Sequence, residues 1–235
     1  MRVNSIFVGF LHCPPGHHDA FLDWHEQDHR PENHGVIEHI YHSARFVAPP
    51  DALADRVLAA DGPFADPGQY LMTYWSSAPP QRLLDDMTTL REALEAAGRC
   101  APINRDFRAV WRDRMQVLDA AANPLHVVSS DAAPFVPLGS LVVTVGEHGD
   151  GRDEWEAWYG REGMQKLFVD PTITASFTLA PMDPAAQSLF VHLHFAGRPP
   201  REAQAAVAER VEAGPAILFQ GAYVPQHAGE PRFYA

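Results

Sequence analysis

The chain has 235 residues, 46% of them hydrophobic and 20% charged, with a formal net charge of −12. That length holds one large domain or two small ones around a real core. The negative balance disfavours nucleic acid and anionic membrane surfaces, whose affinities rest on cationic contacts. No apolar run approaches the roughly 18 residues of a spanning helix, and the N-terminus alternates like a strand rather than a leader peptide. The two cysteines, Cys13 and Cys100, are far apart and form no CxxC motif, which predicts a reducing compartment and hence the cytoplasm. Thirteen histidines are the unusual feature, because they titrate near neutral pH and ligate metals.

Taken in chain order, the periodicities predict strand 4–12, helix 17–30, strands 37–48 and 69–76, helix 80–97 and strand 105–118. Pro31 is expected to end the first helix. The helix 80–97 carries a stripe of Leu83, Leu84, Met87, Leu90 and Leu94, and Gly98 stops it. A Pro/Ser/Asn-rich stretch, 120–137, reads as a linker. The second half then predicts strand 138–148, helix 151–166, strands 172–180 and 187–195, helix 200–213 and strand 216–225.

The two halves repeat. Phe21-Leu-Asp-Trp24-His25-Glu-Gln-Asp28 superposes on Trp155-Glu-Ala-Trp158-Tyr159-Gly-Arg-Glu162 at an offset of 134. The flanking strands match at offsets of 136, 132 and 118, in the same order. This predicts a first repeat over 1–119 and a second over 138–235, each strand–helix–strand–strand–helix–strand. Two such four-stranded sheets can cover each other's bare faces. The fold class expected is therefore α+β: tandem ferredoxin-like βαββαβ units closing into a barrel of antiparallel sheets around a cavity.

Alternation along Ser188–Phe195 puts Leu189, Val191, Leu193 and Phe195 on one face, expected to pack on helices. Phe190, His192 and His194 would then point into the cavity, with Met72, Tyr74 and Ser76 as their first-half counterparts. The strand 37–48 leaves its parity open: either His42 or the His39/Tyr41/Ser43/Arg45 set faces inward.

The motif Trp24-His25-x-x-Asp28-His29-x-Pro31, followed by Ala44-Arg45-Phe46, resembles the dimeric α+β barrel superfamily and, within it, the EthD-like proteins. The second half keeps Trp158-Tyr159-x-x-Glu162 but has Gly163 at the histidine position. The superfamily includes cofactor-free monooxygenases, muconolactone isomerases, polyketide cyclases and haem-binding chlorite dismutase relatives. The resemblance implies a small-molecule enzyme but does not name the reaction.

The candidate catalytic residues are His25, Asp28, His29, His192 and His194. A histidine would act as general acid/base with Asp28 orienting it. The alternatives are a solvated helix end for the first group and buried neutral imidazoles for the second. The candidate substrate contacts are Tyr74, His42, Arg45, Phe190, Met72 and Trp75, with Arg45 suited to a carboxylate or phenolate. His12 and His148 are expected at the rim, and His17, His18 and His34 in exposed positions. No GxGxxG, P-loop or nucleophile-elbow pattern supports NAD, ATP or a serine hydrolase. No HExxH or 2-His-1-carboxylate motif is evident either, and the resemblance implies chemistry mostly without metal, so no metal and no cofactor is expected. The reading is a lyase, isomerase, dehydratase or cyclase acting on an aromatic or polyketide-like ring. The alternatives are an oxygenase and a non-catalytic carrier. The oxygenase would be cofactor-free, or hold a metal on His25, His29 and a carboxylate with His192 and His194 as added ligands, or hold haem on His192 or His194. A homodimer through the outer surfaces stays open.

Overall fold

The computed structural model describes residues 2–99, 107–148, 152–210, 216–226 and 233–234. Cys100 lies outside them. The first half runs β1 (Ser5–His12), α1 (His18–Trp24), a π-helical turn (His25–His29), α2 (Arg30–Val36), β2 (Ile40–Val47), the short α3 (Pro50–Leu53) and β3 (Val57–Leu58), β4 (Tyr70–Ser76), α4 (Pro80–Ala96) and β5 (Arg108–Ala122). The second half runs β6 (Ser140–Glu147), α5 (Arg152–Trp158), a second π-helical turn (Tyr159–Gly163), α6 (Met164–Leu167), β7 (Ile173–Ala180), β8 (Leu189–Ala196), α7 (Pro200–Arg210) and β9 (Ala216–Pro225). The element order repeats as the sequence predicts; among the described residues two 3₁₀ turns and the small α3 and β3 are added in loops.

All strand pairings are antiparallel and follow the order β2-β4-β1-β5-β7-β8-β6-β9, with β3 on the outer edge of β9. Two pairs, Phe46↔Pro225 and Val47↔Val224, join β9 back to β2 and close the ring within the chain. The 15-residue β5 splices the halves: it pairs with β1 up to Gln116 and with β7 from Gln116 onward. It therefore runs through the boundary expected at residue 119. Beside these pairs the Gln226 N–H donates to the Arg45 carbonyl at 2.9 Å.

The barrel interior is filled rather than hollow. Val8, Phe10, Leu71, Trp75, Phe177, Leu193 and Phe195 belong to one buried apolar cluster. An eight-stranded barrel is just wide enough for its own side chains to fill. The face expected along β8 is thus reversed: Val191, Leu193 and Phe195 face the barrel core, and Phe190, His192 and His194 face the helices. The physical reason is that both faces of each sheet are covered, and the face enclosed on all sides takes the wholly apolar set. Helices α1, α2 and α4 cover the first sheet, and α5 to α7 the second. Among the described residues no helix is long and apolar enough to cross a membrane.

Register corrects two of the offsets. Tyr74 pairs with Phe7 and Ser43, and its counterpart His192 pairs with Thr144 and Thr178. The β1/β6 offset is therefore 144 − 7 = 137, and the β2/β7 offset is 178 − 43 = 135. Both differ from expectation by an odd number, which exchanges the two faces of a strand.

Gly68 is a point where the backbone admits no side chain. Its φ is +78°, and a Cβ there would run into the Leu11 carbonyl. Gly68→Ala is expected to cost at least about 2 kcal/mol, from the left-handed backbone and the collision together. A urea midpoint unchanged from wild type would contradict this.

Candidate active site

The π-helical turn positions the first-half histidines. The N–H of Arg30 bonds the carbonyl of His25, five residues back. In an α-helix, residues five apart point roughly 140° apart, whereas the wider turn brings them nearly into line. Accordingly Trp24 stacks on His29, with ring centres 4.6 Å apart and planes within 18°. The same device recurs in the second half, where the N–H of Met164 bonds the carbonyl of Tyr159. The turn also explains why Pro31 does not end the helix. It sits in the first turn of α2, where a missing N–H is tolerated.

A cavity of about 600 Å³ lies between these helices and the outer face of the first sheet. Trp24, His29, Glu32 and Asn33 line it from the first helix, and Met87, Leu90, Arg91 and Leu94 from α4. Phe7 and residues 109–112 and 114 line it from β1 and β5, and Arg99 and Phe107 also border it. Burial first, and the Arg112 charge second, lower the His29 pKa to about 4, so its imidazole is neutral at pH 7. The Asn33 carboxamide donates to the His29 carbonyl at 2.8 Å.

Behind His29 is a buried polar chain. Arg45 donates to His25 Nδ1 at 3.1 Å, to Glu26 at 3.2 Å and to the Leu22 carbonyl at 3.4 Å. Glu26 in turn accepts from Arg30 at 2.6 Å. Arginine only donates, so His25 accepts at Nδ1 and carries its proton on Nε2. Burial and then Arg45 hold the His25 pKa well below its usual value. The Tyr74 ring lies edge-on to His29 (6.4 Å) and to Phe7 (5.6 Å), and burial raises its phenol pKa.

The expected residues are therefore partly gathered and partly dispersed. His25, His29, Arg45 and Tyr74 come together in the first half. Asp28 is exposed, and the groups that hold the His25/His29 turn are Arg45 and Asn33 instead. The buried Arg45 binds the partly exposed Glu26 rather than lining the cavity. Met72 packs under α1 with Leu11, Phe21 and Tyr70. Trp75 faces the barrel core against Phe177 (5.1 Å) and Phe195 (5.7 Å). His42 rests on Phe135 at 4.7 Å. His18 and His148, expected in exposed or rim positions, are buried. His18 bonds the Tyr70 hydroxyl at 2.9 Å, and His148 lies 4.8 Å from Phe190.

His192, His194 and Phe190 lie four strand positions round the barrel from Tyr74, on the far side of its core. A single site drawing on both halves is not formed. His192 is stacked on Tyr159 at 4.0 Å and on Trp155 at 5.1 Å. His194 Nδ1 bonds Ser176 at 3.0 Å, and Ser176 bonds the Tyr159 hydroxyl at 3.2 Å. Gly163 explains the closure: a Cβ there would come 2.6 Å from the Tyr159 ring, which occupies this space.

This packing fixes an acid response. Burial holds His192 well below the usual pKa and His194 at about 3. The unfolded chain takes up these protons near pH 6.5, while the folded chain resists until far lower pH. Stability is therefore fully present above about pH 6.5 and is lost as pH falls toward the folded values, at roughly 1.4 kcal/mol per pH unit for each histidine. Both ring nitrogens of His192 are buried without a partner. His192→Phe is expected to leave stability at pH 7 unchanged or raised by up to about 2 kcal/mol. It should also flatten the decline between pH 6 and 4.5 by one histidine's share, measured by urea titration at each pH. A variant less stable at pH 7, with an unaltered slope, would contradict this.

Metal and haem can be tested against these residues. Among the described residues no three His, Cys, Asp or Glu side chains are grouped to hold a metal ion. Haem needs an imidazole edge opening onto a slot. His192 and His194 are fully buried and ringed by Trp155, Phe190, Tyr159 and Ser176, so they do not fit. Of the first-half histidines His29 borders the large cavity and would be the iron ligand if haem bound.

Sequence reasoning missed Arg112, Arg114, Asn33 and Phe7. The two arginines alternate along a strand, which a period-two reading of Arg112-Asp113-Arg114 shows, but their neighbours come from β1 and α4.

No protein-family model and no curated protein matches the chain. Solved structures do. An anthrone oxidase-like protein matches with a TM-score of 0.55 at 14% identity, covering 98% of this chain and 95% of that one. The encapsulated DyP-type peroxidase from Mycobacterium smegmatis gives 0.56 at 11%, covering 95% and 93%. A chlorite dismutase from Candidatus Nitrospira defluvii gives 0.55 at 7%, covering 94% and 91%. At such identities the likeness is one of fold. The chain has the fold of the ferredoxin-like, dimeric α+β barrel proteins, with both halves of the barrel in a single polypeptide.

Proposed function

We propose that this chain is a small-molecule enzyme whose active site is the first-half cavity. There His29 takes a proton from a carbon beside a ring carbonyl of an aromatic or polyketide-like substrate. The observation that carries this reading is a neutral, half-buried imidazole on the wall of an aromatic-lined cavity of about 600 Å³. The C–H electron pair moves into the carbonyl as an enolate, and the proton goes to His29. The pair then returns to another carbon or expels a β leaving group, which is isomerase or lyase chemistry without a redox cofactor. His25, Arg45 and Tyr74 stand behind His29 and hold its turn. The shared π-helical turns support reading the halves as tandem EthD-like units, the second having closed over its site. Any homodimer would form through outer surfaces, because the barrel closes within the chain.

A second reading has a specific observation behind it: the likeness to an anthrone oxidase-like protein over 98% of the chain. The same proton removal followed by reaction with O2 would convert a ring CH2 to C=O, with release of water. Anthrone in D2O separates the readings. Deuterium entering at its methylene without O2 uptake supports the first. One O2 consumed per anthraquinone formed supports the second. A Soret band in the purified protein would instead point to haem. Binding of anthrone with neither exchange nor O2 uptake would overturn both enzymatic readings and leave a carrier.

A further inference from the structure

The chain is strongly acidic, yet its cavity wall is cationic. Among the described residues, Arg91, Arg99, Arg112 and Arg114 line it against one carboxylate, Glu32. Glu32 is bound to Arg99 at 2.7 Å, and Arg91 to Glu95 of its own helix at 2.7 Å. Arg112 and Arg114 are different. They share one face of β5, opposite Gly9 and Phe7 of β1. The acid between them, Asp113, is on the other face and is already engaged. Its carboxylate accepts the backbone N–H groups of Arg114 and Met182 (2.7 Å each) and Asp183 (2.9 Å). Among the described residues no carboxylate pairs with Arg112 or Arg114. The Arg114 Nε is buried without a partner, and its guanidinium lies 5.5 Å over the Phe7 ring.

The half-buried Arg114 guanidinium, with an unpartnered Nε and the exposed Arg112 charge on the same strand face, is costly to hold at an apolar cavity wall by itself. An anionic ligand would offset that cost, and the planar fork suits carboxylate or phenolate oxygens. The rest of the lining, Trp24, Met87, Leu90 and Leu94, suits a ring. We infer that the cavity binds a ring-bearing monoanion, an aromatic carboxylate or phenolate, with its charged oxygen on Arg112 and Arg114. The inference deepens the proposed function by naming its substrate class, but it requires only that the cavity be the binding site. It adds one consequence: a bound anion offsets the Arg112 charge, which after burial is the second cause lowering the His29 pKa, so substrate binding relieves that part of the depression.

The test is calorimetric titration of the full chain with 1-naphthoate and with the neutral 1-naphthamide, which share a ring. Wild type should bind the carboxylate at least tenfold more tightly. Arg112→Gln/Arg114→Gln should bring the two affinities within about twofold while naphthamide binding persists, which also reports an intact cavity. If the double variant fails to fold, Arg112→Gln alone, at an exposed position, should reduce the preference at least threefold. Equal affinities in wild type, or a preference that survives these substitutions, would overturn the inference. Its failure is separable from that of the enzymatic reading. Naphthoate preference together with a His29→Ala variant of full activity sinks only the catalytic reading. Turnover that depends on His29 without naphthoate preference sinks only this one.

Discussion

His29→Ala is expected to lower turnover of an enolisable ring substrate by at least about 100-fold, the usual worth of a positioned general base. The fold should survive, because His29 is only half-buried and borders the cavity. The stacked Trp24 remains as a ring platform, so the loss should fall on kcat rather than on KM. The pH dependence is a second signature. With its pKa near 4 in the free enzyme, His29 should give no inflection in kcat/KM between pH 6 and 8. Arg112→Gln removes the nearby charge and should move the acid limb upward. His192→Ala, across the barrel, should keep wild-type turnover per folded molecule. Equal losses at His29 and His192 would mean that the chemistry is not confined to the first half.

Arg45→Met should be the most destabilising single change among the cavity's supporting residues, by about 3 kcal/mol. Arg45 is 3% exposed and joins four groups: His25, Glu26, the Leu22 carbonyl and, through Glu26, Arg30. Removing it strands the His25 Nδ1 in a dry region and takes one donor from the Leu22 carbonyl, which keeps the backbone N–H of His25. The cost is held below the upper range for a broken buried pair because Glu26 keeps Arg30 at 2.6 Å. Arg45→Lys should recover less than half, since an ammonium cannot reproduce the planar fork. The measurement is ΔG of unfolding in urea at pH 7. A change under about 1 kcal/mol would show that this chain of contacts is not what anchors the turn.

The element order was legible in the sequence because helix and strand periods are local signals. The matching order of elements in the two halves showed because aromatic residues recur at corresponding helix positions, such as Trp24 and Trp158. Parity was not legible. In β8 the leucine/valine set and the histidine set both sit on buried faces, so alternation alone does not say which face meets the helices. The helix running past Pro31 was hidden for a related reason, since a π-helical turn depends on hydrogen bonds that composition does not encode. For the site, the His25/His29 spacing was readable and Arg45 was flagged, although as an anion contact rather than a helix anchor. Arg112 and Arg114 were overlooked because their meaning depends on α4 and β1, which meet β5 only in the fold.

The central claim is that ligand chemistry belongs to the cavity between the first helices and the first sheet. The most direct measurement is a crystal structure of the protein grown with 1-naphthoate. The account predicts the ring between Trp24 and α4, with its carboxylate on Arg112 and Arg114 and within reach of His29. Density instead inside the barrel against Trp75, or beside His192 in the second half, would contradict it.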